Sequence, residues 1–357
     1  MVTLRQLLEE MVVRRASDLH LTAGVPPEFR IDGSIVPSDH EVLSPEMTSQ
    51  LAYSVMSDEQ RKRFETTREL DFSFGVKALS RYRANVFLQR GVVAMAVRQI
   101  PYEILALEKL GLPPVVRDFT NRQKGLVLVT GPTGSGKTTT LAAMLDKINA
   151  TRPCHIVTIE DPIEYIHLHK KAIVNQREVG ADTNSFPTAL KYILRQDPNV
   201  ILIGEMRDHE TVAAALTIAE TGHLVFATLH TNSSYEAVSR IVDVFPSDQQ
   251  RQIHSQLAFV LEGVITQQLI PRRAGGRVMC AEVLVCTPGI RAVIREGKTH
   301  QIYSLMQAGQ KFGIQTMNQA LLQCVLDRVL TPEGALERCS DRAELEGMLG
   351  KVLRTAA

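Results

Sequence analysis

Tryptophan is absent from this chain of 357 residues, and phenylalanine and tyrosine bring the aromatic share to only 5%. Stacking platforms for single-stranded nucleic acid are therefore scarce. Neither sign of charge dominates: 40 basic residues face 39 acidic ones, a net charge of +1. That balance gives no electrostatic reason for a polyanionic partner, and no nucleic acid is expected. No apolar run approaches the roughly 20 residues that a membrane-spanning helix requires. The first residues, MVTLRQLLEEMVVRRASDLH, carry charges throughout and lack the apolar stretch of a secretory signal. A cytoplasmic protein is expected, with peripheral docking at the inner membrane left open. The five cysteines (Cys154, Cys280, Cys286, Cys324 and Cys339) include no CxxC pair, which speaks against a zinc site and for reduced, structural thiols.

What is present is an ordinary globular composition, 44% hydrophobic and 22% charged, in a chain long enough for two domains. Leu4, Leu7, Leu8, Met11 and Val12 recur at helical spacing and predict an amphipathic helix over 3–15. SDLHLTAG (17–24) alternates like a strand, and Asp32-Gly33 inside PPEFRIDGSIVP predicts a hairpin. A charged helical stretch follows over about 45–66, and then three β-like runs at 69–76, 80–90 and 91–100. These elements predict a small α+β domain over 1–100. Pro101, Gly111, Pro113 and Pro114 predict a linker over 101–116, with a larger α/β domain over 117–357. In that domain GLVLVT (125–130), HIVTIE (155–160), NVILIGE (199–205) and HLVFATLH (223–230) alternate with helical patterns. Such continuous apolar runs suit strands buried on both faces of a parallel sheet. Beyond about 246 the pattern reads as helical again.

The strongest chemical signal is GPTGSGKT (131–138), a full G-x-x-x-x-G-K-[ST] match with an apolar strand before it and a helix after it. Glycines at 131, 134 and 136 permit backbone conformations that turn successive N–H groups onto phosphate oxygens. Lys137 would reach the β- and γ-phosphates and the Thr138 hydroxyl would ligate magnesium. The helix beginning near Lys137 directs its positive end at the same anion. Gly131, Pro132, Thr133, Gly134, Ser135, Gly136, Lys137, Thr138 and Thr139 are the expected nucleotide site, and ATP with Mg2+ the expected ligand.

Acids and histidines cluster at the ends of the following strands. In VTIEDPIEY (157–165), Glu160, Asp161 and Glu164 follow an apolar run that Pro162 breaks. A carboxylate there could polarise the water that attacks a γ-phosphate, although a solvated acidic turn would have the same composition. In NVILIGEMRD (199–208), Gly204 stands where many nucleotide hydrolases place an Asp, and Glu205 comes one residue later. The EMRD charges read equally as a surface ion-pair cluster. His223 and His230 sit at opposite ends of one predicted strand, too far apart to share a metal. His230, at the phosphate end, is the better candidate for a γ-phosphate sensor. HLHKK (167–171) reads as a solvated basic loop. Arg81 and Arg83, two apart on a strand, share a face, and Arg98 lies further on in the run 91–100. An exposed basic edge explains this spacing; so would arginines that reach a neighbouring subunit's triphosphate, and spacing alone favours the former.

With these motifs in order, the chain resembles the secretion-superfamily hexameric ATPases, and among them the type IV pilus retraction motors of the PilT type. The resemblance is carried by ASDLHL, ELDFSF, RYRANVF, GPTGSGKT, IEDPIEY, IVNQREV, LRQDPNVILIGEMRD, AETGHLVFATLHT, RIVDVFP and GIRAVIRE, all collinear between residues 16 and 296. It implies a PAS-like N-terminal domain joined to a RecA-like motor domain, six copies in a ring, and ATP between the two domains. It makes Glu205 the magnesium acid of an atypical Walker B strand and Glu164 the catalytic carboxylate of an acidic box with Glu160 and Asp161. It places His223 and His230 in a histidine box and makes Arg83 and Arg98, with Arg81 a weaker candidate, the arginines that contact nucleotide from another subunit. It also implies an inner-membrane platform protein of the pilus machine as partner, and a paralogous accessory retraction ATPase as a second one.

One segment departs from the family pattern. GIRAVIRE (289–296) keeps Arg291, Ile294, Arg295 and Glu296 of the retraction motif, but Gly289 and Ala292 replace an Ala and an Asn. Together with IEYIHLHKK and QQLIP, this also resembles the accessory retraction ATPase, PilU. Two rivals are a pilus-assembly or type II secretion ATPase, which usually carries extra N-terminal domains and a four-Cys zinc module, and a RecA-like nucleic-acid motor.

Overall fold

The computed structural model describes residues 2–31, 33–77, 79–100 and 103–355. Asp32 of the expected hairpin and Pro101 of the expected linker lie outside the described residues. The chain divides into two units, Met1–Glu103 with Glu164–Ile166, and Ile104–Ile163 with His167–Ala357.

The first unit opens with α1 (Leu4–Val13), whose N-terminus is closed by a reciprocal Thr3–Gln6 capping box and whose buried face is Leu4, Leu7, Leu8 and Met11. It continues through β1 (Asp18–Leu21), β2 (Glu28–Ile31), β3 (Ser34–Pro37), α2 (Pro45–Tyr53), α3 (Asp58–Thr67), β4 (Glu69–Val76), β5 (Ser80–Gln89) and β6 (Val92–Ile100). The charged stretch 45–66 is thus two helices, because Ser44 and Ser57 each provide a separate N-cap. The six strands form one antiparallel sheet in the order β3-β2-β1-β6-β5-β4. On β5 the buried positions Ser80, Tyr82, Ala84 and Val86 alternate with Arg81, Arg83 and Asn85, so period 2 puts the arginines on the face away from the core.

The second unit comprises α4 (Val115–Phe119), β7 (Gly125–Thr130), α5 (Lys137–Thr151), β8 (His155–Glu160), β9 (Ile173–Glu178), α6 (Phe186–Ile193), β10 (Val200–Ile203), α7 (His209–Glu220), β11 (Leu224–Leu229), α8 (Ser234–Asp243), α9 (Gln250–Val260), β12 (Leu261–Pro271), β13 (Arg277–Val285), α10 (Pro288–Arg295), α11 (Ile302–Gln307), α12 (Met317–Leu326), α13 (Pro332–Leu336) and α14 (Arg342–Thr355). Its seven strands lie in the order β13-β12-β7-β11-β10-β8-β9. All neighbours pair in parallel except β12 with β13. Every residue of β7, β10 and β11 is buried, with one apolar cluster on each face of the sheet. The fold class is therefore the expected one, a mostly parallel α/β unit preceded by a smaller unit with its own sheet.

Two strands lie where the sequence reads as helical. β12 leaves α9 with no turn residue between Val260 and Leu261, and Glu262, Gln267 and Gln268 interrupt its apolar run. Gly263 is the sign of close packing there, since a Cβ would come within 2.2 Å of the Phe119 ring. α12, α13 and α14 close over β12 and β13 through a separate cluster that includes Ile270, Cys280, Met317, Leu321, Leu330 and Leu345.

HLHKK is not uniformly solvated either: Leu168, His169 and Lys170 are exposed, but His167 is 8% exposed. Burial lowers its imidazole pKa from 6.5 to about 4, with Asp146 opposing and Lys170 adding to the shift. The folded state then resists a proton that the unfolded chain accepts. Its contribution is present above pH 6.5 and is lost as pH falls toward 4, about 3 kcal/mol in total at about 1.36 kcal/mol per unit. Urea unfolding at pH 7.5 and pH 5 is expected to show this loss in the wild type and a shallower one in His167→Gln; an equal slope in both would assign the acid sensitivity elsewhere.

Candidate nucleotide site

The phosphate loop is shaped by backbone demands that only glycine meets. Gly131 leaves β7 at φ +134°, and a Cβ there would lie 2.4 Å from the Gln267 carbonyl oxygen on β12. Gly134 and Gly136 also have positive φ. Gly136 is the N-cap of α5 and supplies no side-chain hydrogen bond, so the positive end of this helix, where anions are favoured, opens at the loop. Lys137 Nζ donates to Gly131 O at 2.8 Å and Pro132 O at 3.1 Å, laying its ammonium across the loop. Pro132, Thr133 and Gly134 are exposed along the rim, Ser135 is buried, and Thr138 and Thr139 are half-buried beside Lys137. Oriented N–H groups with one ammonium fit a polyphosphate. Among the described residues no group of three or more His, Cys, Asp or Glu is placed to hold a metal; Thr138 and phosphate oxygens are the fitting donors for magnesium.

Across the same edge of the sheet, β10 delivers Glu205. Gly204 precedes it because β8 comes too close for a side chain: a Cβ would sit 3.2 Å from Glu160 Cα and 3.2 Å from Ile159 O. Gly204 N donates to Ile159 O at 2.8 Å and Gly204 O accepts from Thr228 Oγ1 at 2.5 Å, so both neighbouring strands fix the backbone that aims Glu205. Its carboxylate accepts from Arg207 Nε at 2.5 Å and Nη2 at 2.7 Å, and His230 Nε2 lies 3.0 Å from Oε1. Burial raises the Glu205 pKa, but Arg207 and His230 outweigh it and hold the carboxyl below its ordinary value. The structure thus brings Glu205 and His230 together, and adds Arg207, which the sequence offered only as part of a charge cluster.

Other expected residues fall differently. Glu160 is buried and accepts from Thr158 Oγ1 at 2.6 Å and Gln176 Nε2 at 3.2 Å; it braces β8 and β9. Asp161 and Glu164 are exposed, Glu164 within the first unit. His223 lies at the opposite end of β11 from His230, its Nδ1 within 3.1 Å of Ile218 O and 3.2 Å of Thr221 Oγ1. Since β7 and β11 run parallel, that end is remote from the phosphate loop of its own chain, and the structure does not bring His223 to it. On α10, Arg291 donates to Ala258 O at 2.8 Å, Phe259 O at 2.9 Å and Glu262 Oε1 at 2.6 Å, closing the C-terminus of α9. Ile294 is buried, Arg295 is exposed, and Glu296 pairs with Lys298. A Cβ at Gly289 would meet nothing within 4 Å, so this departure from the family motif has no packing cost.

In the first unit, Arg83 and Arg98 stand directly opposite each other on β5 and β6, with Arg81 opposite Ile100. Asp18, opposite Arg98 on β1, binds Arg98 Nε at 2.7 Å and lies 3.7 Å from Arg30 Nε. Arg83 lies 3.9 Å from Asp71. Asp18 was missed because its role appears only when the strands are paired.

A glycine-built phosphate cradle at the C-terminal edge of a parallel sheet, facing an acid and a histidine from adjoining strands, defines a P-loop ATPase. The family model for Type II/IV secretion system protein matches residues 1–337, and the chain belongs to that family. It is 48% identical to the type IV pilus retraction ATPase PilT of Pseudomonas aeruginosa, covering 93% of this chain and 97% of that one. It is 42% identical to the type IV pilus ATPase PilU of the same organism, over 96% of this chain and 90% of the other. The crystal structure of the pilus retraction motor PilT with bound ADP superposes with a TM-score of 0.92 at 53% identity, covering 97% of this chain and 99% of that one.

Proposed function

We propose that the protein hydrolyses Mg-ATP and uses the cycle to retract type IV pili as their main retraction motor. The observation that supports this most is the full-length likeness to the retraction motor with ADP, together with a phosphate cradle that suits the same ligand. Identity to PilT exceeds identity to PilU by six points, 48% against 42%, which favours the main over the accessory motor. The protein acts as a homo-hexamer in the cytoplasm, docked on the inner-membrane platform protein of the pilus machine and partnered by the accessory ATPase where one is present.

In this reading Lys137 and the first-turn N–H groups of α5 bind and neutralise the phosphates, and Thr138 holds the metal. The Glu164 carboxylate accepts the proton of the attacking water. Glu205 serves magnesium, and His230 senses the γ-phosphate while hydrogen-bonded to Glu205. Arg83 and Arg98, with Arg81 beside them, complete the nucleotide site of a neighbouring chain. Bound magnesium supplies charge neutralisation on the transferring group.

Deletion of the gene in its piliated host tests the reading. More surface pili with lost twitching is expected. Fewer pili would instead mean assembly, and unchanged pilus number with weakened retraction would mean the accessory role.

A further inference from the structure

Behind the phosphate loop the second unit buries a line of polar side chains that the nucleotide chemistry above leaves unused. Thr130, the last residue of β7 before Gly131, shares a hydrogen bond of 2.8 Å with Thr266 on β12. Thr266 Oγ1 lies 3.3 Å from Ser234 Oγ at the start of α8. Ser234 N donates to Glu282 Oε1 on β13 at 2.7 Å, and Met317 N, at the start of α12, donates to Glu282 Oε2 at 3.3 Å. Thr130, Thr266 and Ser234 are 0% exposed and Glu282 is 1% exposed.

A buried carboxylate is costly unless its oxygens are satisfied. Each Glu282 oxygen takes an N–H from the first turn of a different helix, where the helix dipole also favours negative charge. Burial pushes the Glu282 carboxyl above its ordinary range, while the Ser234 and Met317 N–H groups pull it back. The two helices have their own side-chain caps, Ser233 for α8 and Thr316 for α12. Simple capping therefore does not explain why a buried acid is kept between them. What the acid adds is a common anchor. α8 begins four residues after His230, and α12 begins the C-terminal helices that cover β12 and β13.

We propose that Glu282 is a positioning residue for ATP turnover: it holds the start of α8, and hence the His230 segment, in register with the phosphate loop through Thr266 and Thr130, and ties α12 to the same point. This rests on the reading of His230 as the γ-phosphate sensor. Sub-ångström drift of α8 would leave phosphate binding at Lys137 intact and misplace His230. The loss therefore falls on kcat and spares KM.

The test uses the full chain, with kcat and KM for ATP measured for wild type, Glu282→Gln, Thr266→Val, His230→Ala and the Glu282→Gln/His230→Ala double variant. Glu282→Gln keeps the shape but loses one acceptor. It is expected to lower kcat about 10- to 100-fold with KM changed less than about 2-fold. In the His230→Ala background the same change should cost less than about 2-fold, because the group it positions is gone. Thr266→Val, which leaves both Glu282 bonds in place and cuts the links from Thr266 to Thr130 and to Ser234, should lower kcat in the same direction. A wild-type kcat in folded Glu282→Gln, or losses that multiply in the double variant, would overturn the proposal. If Glu282→Gln does not fold, Thr266→Val decides: an unchanged kcat overturns the proposal and a selective kcat loss supports it. A His230→Ala enzyme with wild-type kcat would remove the sensor reading itself, and that outcome is read from the single variant alone.

Discussion

Lys137→Ala is expected to bring ATP turnover to background, a loss of about 10²- to 10³-fold or more, which is the scale for removing one group that stabilises transition-state charge. Two effects combine. The ammonium carries the only positive side-chain charge within the loop 131–139, and phosphoryl transfer depends chiefly on positioning and charge neutralisation. The same ammonium also ties the loop together through the Gly131 and Pro132 carbonyls, and a methyl group cannot replace either bond. Lys137 is only half-buried at the rim of the unit, so its removal opens no core cavity and the thermal midpoint should barely move. Phosphate release and equilibrium binding of a fluorescent ATP analogue provide the check. Lys137→Arg is expected to fail as well, since a planar guanidinium does not reproduce a compact ammonium between two carbonyls. Unchanged turnover in Lys137→Ala would remove the site assignment altogether.

The phosphate loop was legible because its geometry admits few residues: three glycines at positive φ, one of them pressed against the Gln267 carbonyl, cannot be disguised. β7, β8, β10 and β11 were legible as apolar runs because burial on both faces erases alternation. What stayed hidden depends on partners distant in sequence. β12 and β13 were lost because β12 continues directly from α9 and carries Gln267 and Glu262 for contacts to helices, Thr140 on α5 and Arg291 on α10. Glu282 lies in a stretch read as helical, so neither its strand nor its bonds to residues 234 and 317 could be seen. Asp18 gains its meaning from strand pairing that sets it beside Arg98. For the histidines the sequence already put His230 at the phosphate end; what only the paired strands add is its partner, Glu205 at 3.0 Å from the end of β10.

Glu164→Gln should separate the two acids to which the family resemblance gives different roles. Loss of a general base costs about 10²- to 10⁴-fold in rate, whereas an amide of the same shape leaves the loop, Lys137 and Thr138 untouched. Turnover is therefore expected to fall to that extent with ATP affinity retained. Glu205→Gln should behave differently. Arg207 and His230 occupy the Glu205 oxygens, so a Glu205 that serves magnesium would need Arg207 to swing away, which its 77% exposed side chain permits. Neutralising Glu205 should raise the magnesium concentration needed for half-maximal turnover and release Arg207 and His230 from their shared partner. Titration of magnesium at fixed ATP, in both variants, reads the two effects separately. Should Glu164→Gln lose ATP binding or shift the magnesium requirement while Glu205→Gln does not, the metal belongs to the acidic box. Glu205, poised between Arg207 and His230, would then be the switch that reports on the γ-phosphate.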